Sequence, residues 1–234
     1  MSDLLEGLGA AWVLLISGDR ELWAIIGLSL WVSGAALAIS TVVGVPLGAW
    51  LGLRSFHGRE LVATVIYTGM GLPPVVVGLF VYLLLSRSGV FGQLGWLFTP
   101  RAMVVAQTVI SLPLIVGLTI TAVEGVGVAL RDQLRALGAT AGQIACAVLW
   151  EARSGMIVAL VAGFGSIISE VGAVMLVGGN IEGSTRVLTT AIVLETRKGA
   201  FDQALALAFV LLGLTFALNA IALHLQGRLM RRGT

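Results

Sequence analysis

The sequence predicts an all-α integral membrane protein with about five transmembrane helices and an N-terminal interfacial helix. Three observations carry that reading. Of 234 residues, 58% are hydrophobic and only 11% are charged, where soluble domains carry roughly 25% charge; mean hydropathy is +1.02. The apolar residues come in runs of about 20 or more, enough for a helix to cross a bilayer, and not in the short alternating segments of an outer-membrane barrel. One interior stretch, residues 124–153, interrupts the pattern with Arg131, Asp132, Arg135, Glu151 and Arg153. A charged helical segment of this kind cannot sit in hydrocarbon, so it belongs in water between two spans.

In residues 1–20, Leu4, Leu5, Leu8, Ala11, Trp12 and Leu15 recur at helical spacing in a stretch too short to span. They predict an amphipathic helix in the interface plane with Trp12 as its anchor. The first span covers about 22–53, where Gly44, Gly48 and Gly52 leave one face bare for close helix approach. Arg54, His57 and Arg59 form a short basic turn after it. The second span, about 61–85, carries Pro73 and Pro74 at its middle, behind Gly69 and Gly71. Proline removes a backbone donor and clashes with the preceding turn, so this helix is expected to kink or break near mid-membrane. A break there needs protein or a water-lined cavity beside it.

A Gly-rich loop, 86–101, follows, with Trp96 and Phe98 suited to an interface. The third span, about 102–123, places Gln107 and Ser111 on one face ahead of Pro113. The polar segment 124–153 leads into a fourth span at about 154–178. Residues 180–200 are too polar to cross, with 187–194 expected as a short interfacial helix. The fifth span, about 201–225, ends in a basic tail of Arg228, Arg231 and Arg232. The chain reads as one transmembrane domain, 1–234, with a core at 20–230 and a cytoplasmic loop at 124–153. No internal duplication is visible, which points to one subunit of a pair and not a fused two-repeat transporter.

Orientation follows from arginine and lysine counts. With 124–153 in the cytoplasm, that side carries Arg54, Arg59, Arg131, Arg135, Arg153, Arg228, Arg231 and Arg232. The other carries Arg20, Arg87, Arg101, Arg186, Arg197 and Lys198, a small bias in the positive-inside direction. The acidic start, MSDLLEG, argues against a cleaved signal peptide.

Several chemistries are not supported. A net charge of +2 with no basic cluster interleaved with aromatics gives no footprint for nucleic acid. Cys146 is the single cysteine, so no internal disulfide forms and the redox compartment is unreadable. His57 and His224 lack neighbours at ligand spacing, so no metal site is expected. There is no nucleophile setting and no catalytic residue is assigned. The run Gly178-Gly179-Asn180-Ile181-Glu182-Gly183-Ser184-Thr185 has the outline of a phosphate loop, but Ser184 stands where the lysine belongs and no strand precedes it. ATP is therefore not expected to bind this chain by that route.

In the fourth span Gly155, Ala159, Ala162, Gly163, Ser166, Ser169, Glu170 and Ala173 share one face, opposite Ile157, Leu160, Val161, Phe164, Ile168, Val171 and Met175. Bulky residues on one face and small or polar ones on the other invert the usual amphipathic pattern. Glu170 at membrane depth marks a pathway or a buried pair. A bare carboxylate repels an anionic cargo, so a structural or gating role fits better than a ligand.

Leu137-Gly138-Ala139-Thr140, followed by Gln143 and Val148 between two spans, resembles the cytoplasmic "EAA" loop of ABC importer permeases. Gly138 matches that motif's glycine and Val148 stands at its isoleucine. Asp132-Gln133-Leu134 replaces the Glu-Ala-Ala triplet and Trp150-Glu151 the Leu-Pro, so the motif's two ends depart from the pattern. Leu149-Trp150-Glu151-Ala152-Arg153, Ile168-Ser169-Glu170-Val171-Gly172-Ala173-Val174-Met175, Val177-Gly178-Gly179-Asn180-Ile181, the run Thr189 to Thr196 and the run Met70 to Leu79 are similar to tungstate-type permeases. Molybdate and sulfate permeases share a Glu-Phe-Gly-Ala pattern where this chain has Glu170-Val171-Gly172-Ala173. The likeness runs from about Gly18 to the tail.

The resemblance implies a type I ABC importer permease: a homodimeric pore in the cytoplasmic membrane of a prokaryote, driven by two ATP-binding subunits that hold the ATP and Mg, and loaded by an extracytoplasmic binding protein. Cofactors in this chain are expected to be none. It implies a coupling helix at about 134–143, with Leu134, Ala136, Leu137, Gly138, Ala139 and Gln143 against the ATPase. Candidate pore or gate residues are Pro73, Pro74, Gln107, Ser111, Ser166, Ser169 and Glu170. Tungstate is the expected cargo. The alternatives are a permease for molybdate, sulfate or another oxyanion, and a self-standing secondary transporter.

Overall fold

The structure, a computed structural model, describes residues 9, 16 and 18–231. The interfacial helix expected around Trp12 lies outside the described residues, as do the arginine side chains of the basic tail. The described residues are helical and contain no strand. They form α1 (Arg20–Leu53), α2 (Arg59–Met70), α3 (Pro74–Leu85), a 3₁₀ turn (Gly92–Leu94), α4 (Pro100–Glu124), α5 (Val128–Ala136), α6 (Ala141–Ile168), α7 (Gly172–Gly178), α8 (Leu188–Lys198) and α9 (Phe201–Arg231).

α4 is the axis of the bundle, and α1 packs along it through an inside-out face. Ser29, Ser33, Ala36, Ser40, Gly44, Gly48 and Gly52 are buried on α1, whereas Trp23, Trp31 and Trp50 on the same helix are about half exposed. Lipid tails are as apolar as leucine, so burying bulk gains little in a bilayer, and small residues that let backbones touch make much of the contact, with Leu51 packed on Val116 and Ile120 at one end. A Cβ added at Gly48 would lie 2.6 Å from Thr119 Cβ and 2.7 Å from the Val116 carbonyl. A polar clasp adds to this contact, Ser40 Oγ lying 2.7 Å from Ser111 Oγ.

The second span breaks where its sequence requires. Pro73 takes an extended conformation (φ −60°, ψ 123°) and Pro74 opens α3 at its first position, where its missing N–H costs nothing. The break bends α2 against α3 by 99°. Their packing makes the pair one crossing and not a re-entrant loop. At one end Arg59 of α2 pairs with Glu124, the last residue of α4. At the other, Val81 and Leu85 of α3 join the core with Ala102 and Met103 from the start of α4. With four further helices long and apolar enough to cross, the described residues make five spans. Leu22, Ile25 and Ile26 of α1 pack with Ala206, Leu207 and Val210 of α9, so these two helices start on the same side. That side is opposite the α5–α6 loop.

Three expectations need correction. The fourth span is not continuous over 154–178: α6 starts at Ala141, runs through the polar segment into the membrane, and stops at Ile168 before the short α7. The apolar run hid this break, whose sequence signal is the polar pair Ser169-Glu170 ahead of Gly172. Likewise the expected coupling helix at 134–143 is two helix ends, because the chain turns sharply at Gly138 between α5 and α6. Finally, α8 does not simply lie on an interface. Leu188 and Ala191 are buried against α1 and α9, and the Leu188 N–H donates to Ser29 Oγ at 2.9 Å.

Candidate functional site: the α5–α6 loop and two broken spans

The loop that carries the sequence resemblance is a helix–turn–helix held almost wholly by local hydrogen bonds. α5 ends in a Schellman motif with Gly138 at φ +78°: the Gly138 N–H donates to Arg135 O and the Ala139 N–H to Leu134 O, both at 3.0 Å. Glycine adopts this left-handed conformation without the Cβ penalty. α6 then opens on a capping box. The Thr140 N–H donates to Gln143 Oε1 at 2.8 Å, and the Gln143 N–H to Thr140 Oγ1 at 3.4 Å. Between the two caps Leu137 stands out, 83% exposed. Leu134, Ala136, Leu137, Gly138, Ala139 and Gln143 are therefore gathered in one compact projection, with Gln143 spent on shaping it.

This projection is tied to the spans. Arg131 Nη2 donates to Val123 O at 3.0 Å, capping the end of α4, and Val123, Val126, Val148 and Ala152 form a small core at its base. The Arg59 guanidinium donates to Glu124 and, through Nε, to Leu51 O at 2.9 Å. One arginine thus joins the ends of α1 and α4 to the start of α2. Sequence reasoning missed these arginine contacts, since pairing across 65 residues leaves no local pattern.

The α2–α3 break opens a cleft of about 220 Å³ lined by Gly71, Pro73, Pro74, Ile110, Leu114 and Ser166. The structure thus brings Pro73, Pro74 and Ser166 together. Gln107 and Ser111 do not line this cleft. Gln107 is 3% exposed and donates through Nε2 to Ile167 O at 2.9 Å, holding a carbonyl freed by the α6–α7 break. Ser111 is fully buried and donates to Gln107 O at 2.9 Å. Ser169 is exposed and bonds back to Gly165 O at 2.8 Å. Glu170 Oε1 accepts the Ala173 N–H at 2.9 Å, capping the first turn of α7. Thr189, which the sequence did not single out, donates to Glu170 O at 2.9 Å. Irregular backbone at membrane depth is tolerated only where such partners satisfy it. The two breaks also touch, since a Cβ at Gly78 of α3 would lie 2.6 Å from Ala173 Cα and one at Gly172 2.5 Å from Val75 Cγ2.

A prediction separates the cap from the charge at Glu170. Glu170→Gln keeps an oxygen that can accept from Ala173, so transport and melting temperature are expected to stay near wild type. Glu170→Ala leaves the N–H unpaired and is expected to cost about 1 kcal/mol. Equal damage from both substitutions, by thermal melting in detergent, would show that the negative charge matters and not the cap.

The sequence of the chain from the first glycine contact to the tail, residues 44–232, matches the family model of the inner membrane component of binding-protein-dependent transport systems. The chain belongs to that family. It is 47% identical over 219 residues to a probable anion ABC transporter permease protein of Haloferax volcanii, covering 90% of this chain and 94% of that one. It is 41% identical over 226 residues to the tungstate uptake system permease protein TupB of Peptoclostridium acidaminophilum, covering 97% and 99%. The fold is similar to a chain of an inward-facing MetNI methionine ABC transporter, with a TM-score of 0.73 at 18% identity, covering 93% of this chain and 96% of that chain. This permease therefore has the fold of an ABC importer's membrane subunit and is a multi-pass membrane protein. Within it, α5–α6 is the exposed element between two spans, and the two broken spans meet at Gly78 and Ala173.

Proposed function

We propose that this permease is the translocation pore of an ATP-driven importer for tungstate in the cytoplasmic membrane of a prokaryote. Two copies form the pore, two ATP-binding subunits engage the α5–α6 projections, and an extracytoplasmic binding protein delivers the oxyanion. ATP and Mg sit in the partner subunits. The observation that carries this reading is the combination of 41% identity along 97% of the chain to a tungstate uptake permease with an exposed, rigidly capped projection between two spans.

The contacts support a path for the mechanical step. Force applied at Leu137 reaches α5 and α6 as rigid bodies, because both ends of the turn are capped. Arg131 passes it to the end of α4 at Val123, and Arg59–Glu124 passes it to α2. Farther along α4, Gln107 grips the end of α6 at Ile167. A displacement of the loop is thereby felt at both broken spans, which touch each other and border the Pro73–Pro74–Ser166 cleft. Alternating access then needs only small movements of packed helices about the breaks. The cleft offers Ser166 and freed backbone but no cation, which suits weak binding and release. Selectivity is placed in the binding protein.

The reading is tested by reconstituting the permease with its ATP-binding subunits and binding protein in liposomes. Tungstate uptake is expected to require ATP, with molybdate and sulfate competing only as strongly as they bind the delivery protein. Uptake by the permease alone, without ATP, would establish a secondary transporter instead. Stronger uptake of molybdate or sulfate than of tungstate would reassign the cargo.

A further inference from the structure

A cleft of about 740 Å³ opens between the end of α1 and the α5–α6 loop. Arg54, Arg131 and Arg135 line it together with Trp50, Leu53 and Leu149, and no carboxylate does. The described fold uses these three guanidinium groups only in part. Arg54 is exposed and forms no ion pair among the described residues. Arg131 Nε is buried with no hydrogen-bond partner among the described residues, although its Nη2 caps α4. Among the described residues Arg135 pairs with Asp132 alone, at 2.9 Å on the exposed surface of α5.

Trp50 is a wall of this cleft and also of a second, apolar groove of about 610 Å³ between α1, α2 and α4, lined by Leu47, Val62, Val65, Ile66 and Leu112. Its ring packs against Phe56, with centroids 5.1 Å apart. A tryptophan at the end of a span marks the membrane–water boundary. The molecule therefore presents, on either side of one interfacial tryptophan, a cationic water-side cleft and an oily membrane-side groove. A free anion answers only the first half and an uncharged lipid only the second. Basic clefts on the arginine-rich side of a membrane protein attract anionic headgroups. Ala139 of the projection borders the cleft but its exposed tip, Leu137 and Gly138, does not, so an ATP-binding subunit seated on the tip alone leaves the cleft's arginines available.

We propose that this cleft is a binding site for one anionic phospholipid, its phosphate held by Arg54, Arg131 and Arg135 and an acyl chain lying in the groove beyond Trp50. The site would tie the force-bearing loop to the surrounding leaflet. The proposal takes from the functional reading which face is cytoplasmic and that an ATP-binding subunit seats on the loop tip, and its readout is lipid retention, which does not depend on cargo or transport.

The test is native mass spectrometry of the full importer complex purified from mixed phosphatidylglycerol and phosphatidylcholine, compared with the Arg54→Gln/Arg135→Gln variant and with Trp50→Ala. Wild type is expected to retain phosphatidylglycerol over phosphatidylcholine and to gain melting temperature when it is added. The arginine variant is expected to lose that preference by about tenfold, near 1.4 kcal/mol, and Trp50→Ala to weaken both lipids. Equal retention of the two lipids, or unchanged retention in the arginine variant, overturns the proposal. So does displacement of phosphatidylglycerol by inorganic phosphate at similar concentration, which would mark a plain anion site. Loss of ATP-binding subunits from the arginine variant with lipid retention intact would assign the cleft to the ATPase and overturn it as well. Arg54 makes no side-chain hydrogen bond or ion pair among the described residues, so Arg54→Gln alone serves as the variant that keeps the structure.

Discussion

Gly138→Arg is expected to abolish ATP-driven uptake while leaving the permease inserted and folded. Two effects act together. Any side chain at φ +78° meets the left-handed penalty, about 1–2 kcal/mol, so the Schellman turn between α5 and α6 is forced open. The arginine also puts bulk and charge beside Leu137, at the exposed tip of the projection. No described atom lies within 4 Å of a Cβ built there, so the new side chain starts into open space. The damage falls on what docks against the loop, and a loss of about tenfold or more in uptake corresponds to at least ~1.4 kcal/mol of lost coupling. Gly138→Asn is the control, because asparagine tolerates the left-handed region. It is expected to retain most of the uptake. Measured in proteoliposomes, normal uptake with Gly138→Arg would remove this loop from the coupling path.

The second large effect is on assembly of the bundle. Gly48→Leu is expected to prevent normal packing of α1 on α4. Even the first carbon of the new side chain would sit 2.7 Å from the Val116 carbonyl. Backbone cannot swing aside as a flexible side chain can, so the two helices must separate, and the Ser40–Ser111 contact above them must stretch. Overpacking of this kind costs roughly 1–3 kcal/mol in soluble cores, and more is expected here because the obstacle is main chain. Gly27→Leu on the same helix is the matched control: a Cβ there meets nothing within 4 Å. The yield of monodisperse permease in detergent and its melting temperature are the measurements. A Gly48→Leu protein that melts like Gly27→Leu would refute the close α1–α4 approach.

Much of the architecture was legible before any coordinates. The five spans, the bare glycine face of α1, the break at Pro73–Pro74 and the water-exposed loop all rest on local rules, such as hydropathy, small-residue spacing and the missing proline donor. These signals survive without neighbours because each acts within a turn or two of its own helix. The break between α6 and α7 escaped notice, since Ile168, Val171 and Val174 continue the apolar pattern across it. Ser169 and Glu170 were read as a polar helix face, while the structure uses Glu170 to start a new helix. Gln107 is a pore candidate by its polarity and depth, and Gln143 a coupling candidate by the loop's resemblance. A side chain's polarity announces that it needs a partner but does not say which one. Gln107 finds a carbonyl 60 residues away and Gln143 the backbone three residues back.

What the sequence by itself determined is the membrane class, the number of crossings, the position of the exposed loop and the first broken span. Each follows from the energy of a short segment in lipid or water. Only the tertiary structure decided which breaks face each other, which arginines anchor the loop and which polar groups are already satisfied. Those depend on distances between segments far apart in the chain, set when α1 and α4 close upon their small residues and bring Arg59 to Glu124 and Gln107 to Ile167.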